Sequence, residues 1–169
     1  MCRNGYYGDK VKIRSNLQIY LIFLLQLNTG LRIGDVLALK RKNLNNSTLN
    51  IQEQKTKKMQ NRKINLEIYE IIDRYCCKKS IAYNEKLFTI KPRWVQKYLQ
   101  KISLILEIEG VSTHSFRKTY AHFQYLNSNC NIELVRRLLN HSSISVTQRY
   151  LGITDDEVNN ASSSFKIIY

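Results

Sequence analysis

Proline occurs once and glycine six times in the 169 residues. So little punctuation predicts that helices dominate the fold. Cysteine occurs four times, at Cys2, Cys76, Cys77 and Cys130, with no C-x-x-C and no histidine at ligand spacing. That excludes the common zinc patterns, and adjacent Cys76 and Cys77 make a poor start for a disulfide framework. The four are expected to be reduced thiols in a cytoplasmic protein. No apolar run approaches the roughly 20 residues that span a bilayer; the longest, Ile19–Leu25, stops at Gln26. Charged residues from Arg3 to Arg14 precede any apolar run, so no secretory signal is visible. Acids are scarce, 13 against 27 Lys and Arg, for a formal charge of +14. Hydrophobic residues are 43% of the chain, which excludes wholesale disorder. A basic domain of this size implies a polyanionic partner. Charge alone does not separate DNA from RNA or from an anionic membrane surface.

What is present reads mainly as helix. Leu17 to Leu27 is apolar nearly all round, as in a buried helix, and Asn28-Thr29-Gly30 turns the chain. Ile33, Val36 and Leu37 follow at helical spacing. Leu49 and Ile51, then Ile64 and Leu66, alternate with polar residues as in two short strands, about Leu49–Glu53 and Arg62–Leu66. The polar segment Gln54 to Asn61 joins them as a hairpin. Further helical faces run through Ile68, Ile71, Ile72 and Tyr75, and from Pro92 through Trp94, Val95, Tyr98, Leu99, Ile102 and Leu106. Three more helices are expected at Phe116–Leu126, Ile132–Leu139 and Ile144–Leu151. A capping box at Thr154 to Glu157 and an apolar tail, Phe165–Tyr169, follow. Between Lys40 and Lys63 eight bases (Lys40, Arg41, Lys42, Lys55, Lys57, Lys58, Arg62, Lys63) face one acid, Glu53. A run that straddles a hairpin and is almost free of acids is best explained by phosphate contact.

Two segments carry the chemistry. One is Thr29-Gly30-Leu31-Arg32-Ile33-Gly34-Asp35-Val36-Leu37-Ala38-Leu39. The other begins His114-Ser115-Phe116-Arg117 and continues through Leu138-Leu139-Asn140-His141 to Tyr150. His114 and Arg117, three apart, face the same way on a helix. Arginine forks pair with the non-bridging oxygens of a phosphodiester. Histidine moves protons near neutral pH, a tyrosine hydroxyl becomes a nucleophile in a cationic field, and a lysine can protonate a departing alkoxide. Such a cation set stabilises charge where other enzymes use a metal. His122 and Tyr120 fall outside the pattern and are read as packing residues.

In these segments the chain resembles the catalytic domain of the tyrosine recombinase (phage integrase) family, over about residues 17 to 153. Thr-Gly-Leu-Arg-Ile with an acid and Leu-x-Leu is similar to that family's first catalytic box. His-x-x-Arg, then Leu-x-x-His 24 residues later and Tyr nine further on, is similar to its second. The resemblance implies a mainly α fold: a helical catalytic domain with a small antiparallel β-hairpin or three-stranded sheet. It implies that Arg32 and Arg117 clamp the scissile phosphate. His114 assists proton transfer, and His141 supports the transition state. Tyr150 attacks to give a 3′-phosphotyrosyl link and a free 5′-hydroxyl. The family's lysine lies in a hairpin, often as Lys-Thr, and Lys55 matches best. Asp35 stands where glutamate is commoner.

The expected activity is site-specific breaking and rejoining of double-stranded DNA, with no cofactor and no metal, by a tetramer on paired sites. A type IB topoisomerase and a non-catalytic DNA-binding regulator are the rival readings. Residues 1–169 are expected to form one catalytic domain, with 1–16 as lead-in and 154–169 as a C-terminal tail, whose end, Phe165–Tyr169, is either a strand added in cis or a segment docking on a neighbour. The helical core-binding domain usual in the family is not expected within residues 1–169, the chain being either an excised catalytic domain or an unusually short protein.

Overall fold

The structure is a computed structural model that describes residues 16–55, 57–152, 163, 164 and 166. Residues 1–15 of the lead-in, the capping box at Thr154 and all of the apolar tail except Lys166 lie outside the described residues. The chain is mainly helical with one small sheet, and it divides between Tyr120 and Ala121 into two compact units.

In the first unit α1 (Leu17–Thr29) is the core helix, with Ile19, Leu21, Ile22 and Leu25 buried. The Asn16 side chain caps its start by accepting from the Ile19 amide. Gly30, at φ +64°, ends it by donating its N–H to the Gln26 carbonyl. The chain extends through Arg32 into α2 (Ile33–Ala38), which packs on α1. A single 3₁₀ turn, Arg41–Asn43, leads into β1 (Leu44–Asn45), β2 (Thr48–Gln52) and β3 (Met59–Lys63). These form an antiparallel sheet in that order. Asn46 and Ser47, both at positive φ, make the two-residue turn whose twist suits the first hairpin. The second pairs Leu49 with Arg62 and Gln52 with Met59. Leu49 and Ile51 face the core.

The second strand ends earlier than its alternation predicts. Ile64 is buried beyond it, and Asn65 turns its side chain to accept from the Glu67 amide. That cap starts α3 (Leu66–Lys78), so Leu66 is the first residue of a helix and is exposed. Pro92 opens α4 (Pro92–Ile105) as expected, but its buried stripe is narrower than the sequence suggests. Val95 and Leu99 are buried, whereas Trp94 is 56% exposed with Lys97 over its ring, and Leu106 is exposed at the C-cap. Cys76 is buried, and burial pushes its thiol up; Cys77 and Cys130 are exposed and all three are free.

α5 (Thr113–Asn127) contains the boundary between units. In the second unit α6 (Ile132–Leu139) packs on α7 (Ile144–Leu151). Val135 and Leu139 are buried there. Asn131 and Ser143 cap the two helices, and Asn140, in the left-handed region at φ 53°, ends α6. Tyr120 is buried as expected, but His122 is exposed rather than packed.

Candidate active site

In the first unit the candidate residues gather around the turn Thr29 to Arg32. The carbonyl oxygens of three successive residues each accept from a long side chain of another element or turn. Arg62 of β3 donates to Thr29, Arg117 of α5 to Gly30, and Gln26 of α1 to Leu31 at 3.3 Å. Gln26 Nε2 also reaches the Thr113 carbonyl at 3.3 Å, which ties the start of α5 to the same turn. Glycine is required at 30 twice over. Its φ is +64°, and a Cβ there would lie 2.3 Å from Tyr120 Cδ1. Arg117 is 2% exposed. His114 sits one turn earlier on α5, exposed, its amide donating to Ser112 Oγ at 3.3 Å.

Arg32 occupies the N-cap position of α2, and its Nη1 lies 3.0 Å from Glu53 Oε2. Glu53 is 1% exposed and accepts from Gln60 Nε2 at 3.0 Å through its other oxygen. Gln60 in turn accepts from Arg62. Burial pulls the Arg62 guanidinium below its ordinary value, with the Tyr120 phenol and Glu53 opposing that shift. Burial raises the Tyr120 phenol, while Arg62 and Arg117 act to lower it.

The hairpin loop is held at its base. The Glu53 amide donates to the Lys58 carbonyl at 3.0 Å, and the Lys57 amide to the Glu53 carbonyl at 2.9 Å. The buried Asp35 accepts from the Gln54 amide at 2.9 Å, so the residue before Lys55 is pinned to α2. Lys55 itself is exposed, as are Lys57, Lys58, Lys63 and Lys42. Three of the eight bases are placed otherwise than a uniform DNA-facing surface requires. Arg62 turns inward to the Thr29 carbonyl, Arg41 pairs with Asp73, and Lys40 is half-buried in a bridge with Lys86.

In the second unit His141 and Tyr150 meet, their ring centroids 5.1 Å apart and planes at 64°. His141 is 7% exposed, and its Nδ1 lies 3.1 Å from Thr147 Oγ1. Its amide donates to the Arg136 carbonyl, and its carbonyl accepts from Arg136 Nη1 at 2.8 Å. Arg136 is held by Glu133 through two bonds of 2.6 and 2.7 Å. Hydrogen bonds from Arg136 and Arg137 hold the Glu133 carboxyl down to about 2.

Sequence reading missed Glu53, Gln26, Gln60, Thr147 and the Glu133–Arg136 pair. Glu53 did leave a signal, as the one acid in the basic run. Among the described residues no three His, Cys, Asp or Glu side chains gather as a metal site requires, and no helix is long and apolar enough to cross a membrane.

The phage integrase family profile matches residues 10–157. The chain belongs to the phage integrase family, the tyrosine recombinases. It is 35% identical over 156 residues to the probable integrase/recombinase YoeC of Bacillus subtilis (strain 168), covering 85% of this chain and 82% of that protein. It is 27% identical over 153 residues to the tyrosine recombinase XerC of Caldanaerobacter subterraneus subsp. tengcongensis. There it covers 84% of this chain but only 43% of the relative, so it spans less than half of that protein. Among solved structures, XerA recombinase superposes with TM-score 0.68 at 19% identity, over 99% of this chain and 65% of that one. The catalytic domain of bacteriophage HP1 integrase gives 0.61 at 22% identity, over 85% and 80%. These likenesses establish the fold.

Proposed function

We propose that the chain is the catalytic part of a site-specific DNA recombinase that cuts and rejoins double-stranded DNA through Tyr150. Tyr150 Oη gives up its proton to His114 and attacks the scissile phosphorus, and the bond to the 5′-oxygen breaks. The enzyme is left joined to the 3′-phosphate, and the 5′-oxygen takes a proton from Lys55. Attack by a 5′-hydroxyl reverses the sequence and releases the tyrosine. Arg32 and Arg117 hold the non-bridging oxygens. His114 assists proton transfer, and His141 supports the charge that builds on phosphorus. Lys42, Lys57, Lys58 and Lys63 contact flanking phosphates.

The observation that carries this reading is the anchoring of Arg117 to the carbonyl of Gly30, two residues before Arg32, beside a loop that presents Lys55. Two arginines held at one turn suit a phosphodiester, whose two non-bridging oxygens need paired donors. XerH recombinase, a fold neighbour with TM-score 0.68 and 20% identity, has been solved bound to its difH substrate in a post-cleavage complex. That likeness supports DNA as the partner, and the family resemblance adds the expectation of a tetramer on two sites as the working form.

The test is covalent trapping on a nicked duplex that loses a short 5′-hydroxyl strand on cleavage, with EDTA present throughout. Wild-type protein should give a DNA adduct that survives denaturant, and Tyr150→Phe none, with DNA affinity kept within a few fold. An adduct from Tyr150→Phe would overturn the assignment of the nucleophile. DNA binding with no adduct from wild type would favour the regulator reading.

A further inference from the structure

We propose that Thr147 is a positioning residue that selects which nitrogen of His141 works at the reacting phosphate. The inference rests on the reading of His141 and Tyr150 as reaction residues. It is carried by a contact which that reading does not use.

Thr147 is fully buried, and its Oγ1 is 3.1 Å from His141 Nδ1. The same hydroxyl lies 3.5 Å from the carbonyl of Ser143, one turn back on α7. A threonine inside a helix commonly donates its hydroxyl proton to that carbonyl. With its proton so directed, Oγ1 offers a lone pair to the ring, and Nδ1 carries the hydrogen. The scaffold thus binds Nδ1, and exchange with the phosphate falls to Nε2. A neutral histidine whose Nδ1–H is bonded keeps the Nε2 lone pair for a proton. Once that proton is taken up, Nε2 donates to the phosphate while Thr147 still accepts from Nδ1. One hydroxyl therefore serves both charge states of the ring without turning it.

The rest of His141 is fixed as firmly. Arg136 accepts from its amide through the main chain and donates to its carbonyl through its guanidinium. Glu133 holds that guanidinium from two sides. Backbone anchoring does not by itself distinguish the two orientations of the ring about its side-chain bonds. The Thr147 contact does, and from the same helix that carries Tyr150. Since a reacting group misplaced by about 1 Å can cost roughly 10²-fold, losing the hydroxyl should be visible in the rate.

The test uses ¹⁵N NMR of the His141 ring in the whole chain, compared with adduct formation on the nicked duplex. Wild type should show the Nδ1–H tautomer when neutral. Thr147→Val should shift the ring toward Nε2–H and slow adduct formation by about 10-fold or more. Thr147→Ser, which keeps the hydroxyl, should restore both, with DNA affinity the same in all three. An Nε2–H ring in wild type would overturn the proposal and needs no variant to be seen. So would a Thr147→Val protein that cleaves at the wild-type rate, or a Thr147→Ser protein as slow as Thr147→Val. If wild type forms no adduct, the recombinase reading fails, and the tautomer alone then decides whether Thr147 orders the ring.

Discussion

Replacing Gly30 by alanine adds one methyl group where the turn has no room for it. The methyl carbon would sit 2.3 Å from Tyr120 Cδ1 and 2.7 Å from Cε1. Ordinary carbon contacts are about 3.5–4.0 Å, so ring and turn must separate by more than about 1 Å. Tyr120 is 7% exposed, which leaves little space to absorb that shift. Two costs add. Holding alanine at φ +64° costs about 1–2 kcal/mol. Forcing a methyl into packed surroundings costs about 1–3 kcal/mol more. The expected loss is then about 2–5 kcal/mol, out of a typical total of about 5–15 kcal/mol.

The chain supplies its own control. Gly110 has φ +69°, but a Cβ there would meet nothing within 4 Å. Gly110→Ala therefore carries the backbone cost alone. Urea unfolding of the two variants should differ by about 1–3 kcal/mol, the steric part. In Gly30→Ala/Tyr120→Ala the clash is gone, so the double variant should be more stable than additivity predicts by the same amount. Because the Gly30 carbonyl accepts from Arg117, Gly30→Ala should also slow cleavage, and Gly110→Ala should not. Equal losses at the two glycines, together with strict additivity with Tyr120→Ala, would refute the argument.

Two more outcomes are expected. The Glu133 carboxyl, held at about 2, should titrate well below the ordinary range of about 4.3 when its carbon is followed by NMR. Its folded value is depressed, so its hold on Arg136 is complete above the unfolded value and is lost as pH falls through about 2; a midpoint near 4 would contradict the pairing. Lys55→Ala should cleave slowly on ordinary DNA but recover on a substrate with sulfur as the bridging 5′-atom, since a thiolate leaves without a proton. Arg117→Lys should not recover on it, and rescue of Lys57→Ala or Lys58→Ala instead would move the acid to that residue.

Much of the candidate site's local geometry is legible in the sequence because its spacing is local. His141 and Tyr150 lie nine residues apart across a serine cap, so helix geometry nearly forces them together. His114 and Arg117 share one turn of α5 for the same reason. The grip on Arg32 is different, since it comes from Glu53 across a strand and a hairpin base, and no period links the two. Arg62 is one of the eight bases of the basic run, but its register opposite the buried Leu49 sends it inward to the Thr29 carbonyl. The slipped end of β3 has a local cause. Ile64-Asn65-Leu66 alternates like a strand, but the asparagine oxygen satisfies the Glu67 amide and starts a helix instead. Trp94 misled because it borders the apolar stripe of α4 without belonging to it.

The choice of arginine at 62 and 117 follows from what the turn demands. Three successive carbonyls, at Thr29, Gly30 and Leu31, point into protein rather than water and need donors. Each left unmet would cost about 1–3 kcal/mol. Lysine could reach one of them, but its ammonium is a strongly hydrated point charge and is poorly suited to burial. A guanidinium is planar, less hydrated, and carries five donors in a fixed fork. Arg117 therefore meets the Gly30 carbonyl with one nitrogen and keeps donors for other partners. On the proposed reading, the contact that completes the turn also helps to aim the clamp before any phosphate arrives. Preorganisation of this kind is what electrostatic stabilisation of a transition state requires, since no reorientation is then left to perform during the reaction. The same reasoning explains the left-handed glycine at the centre. Its backbone lets the Gly30 carbonyl accept from Arg117 of α5 and leaves the space that the Tyr120 ring of the same helix fills, so one residue without a side chain accommodates both contacts.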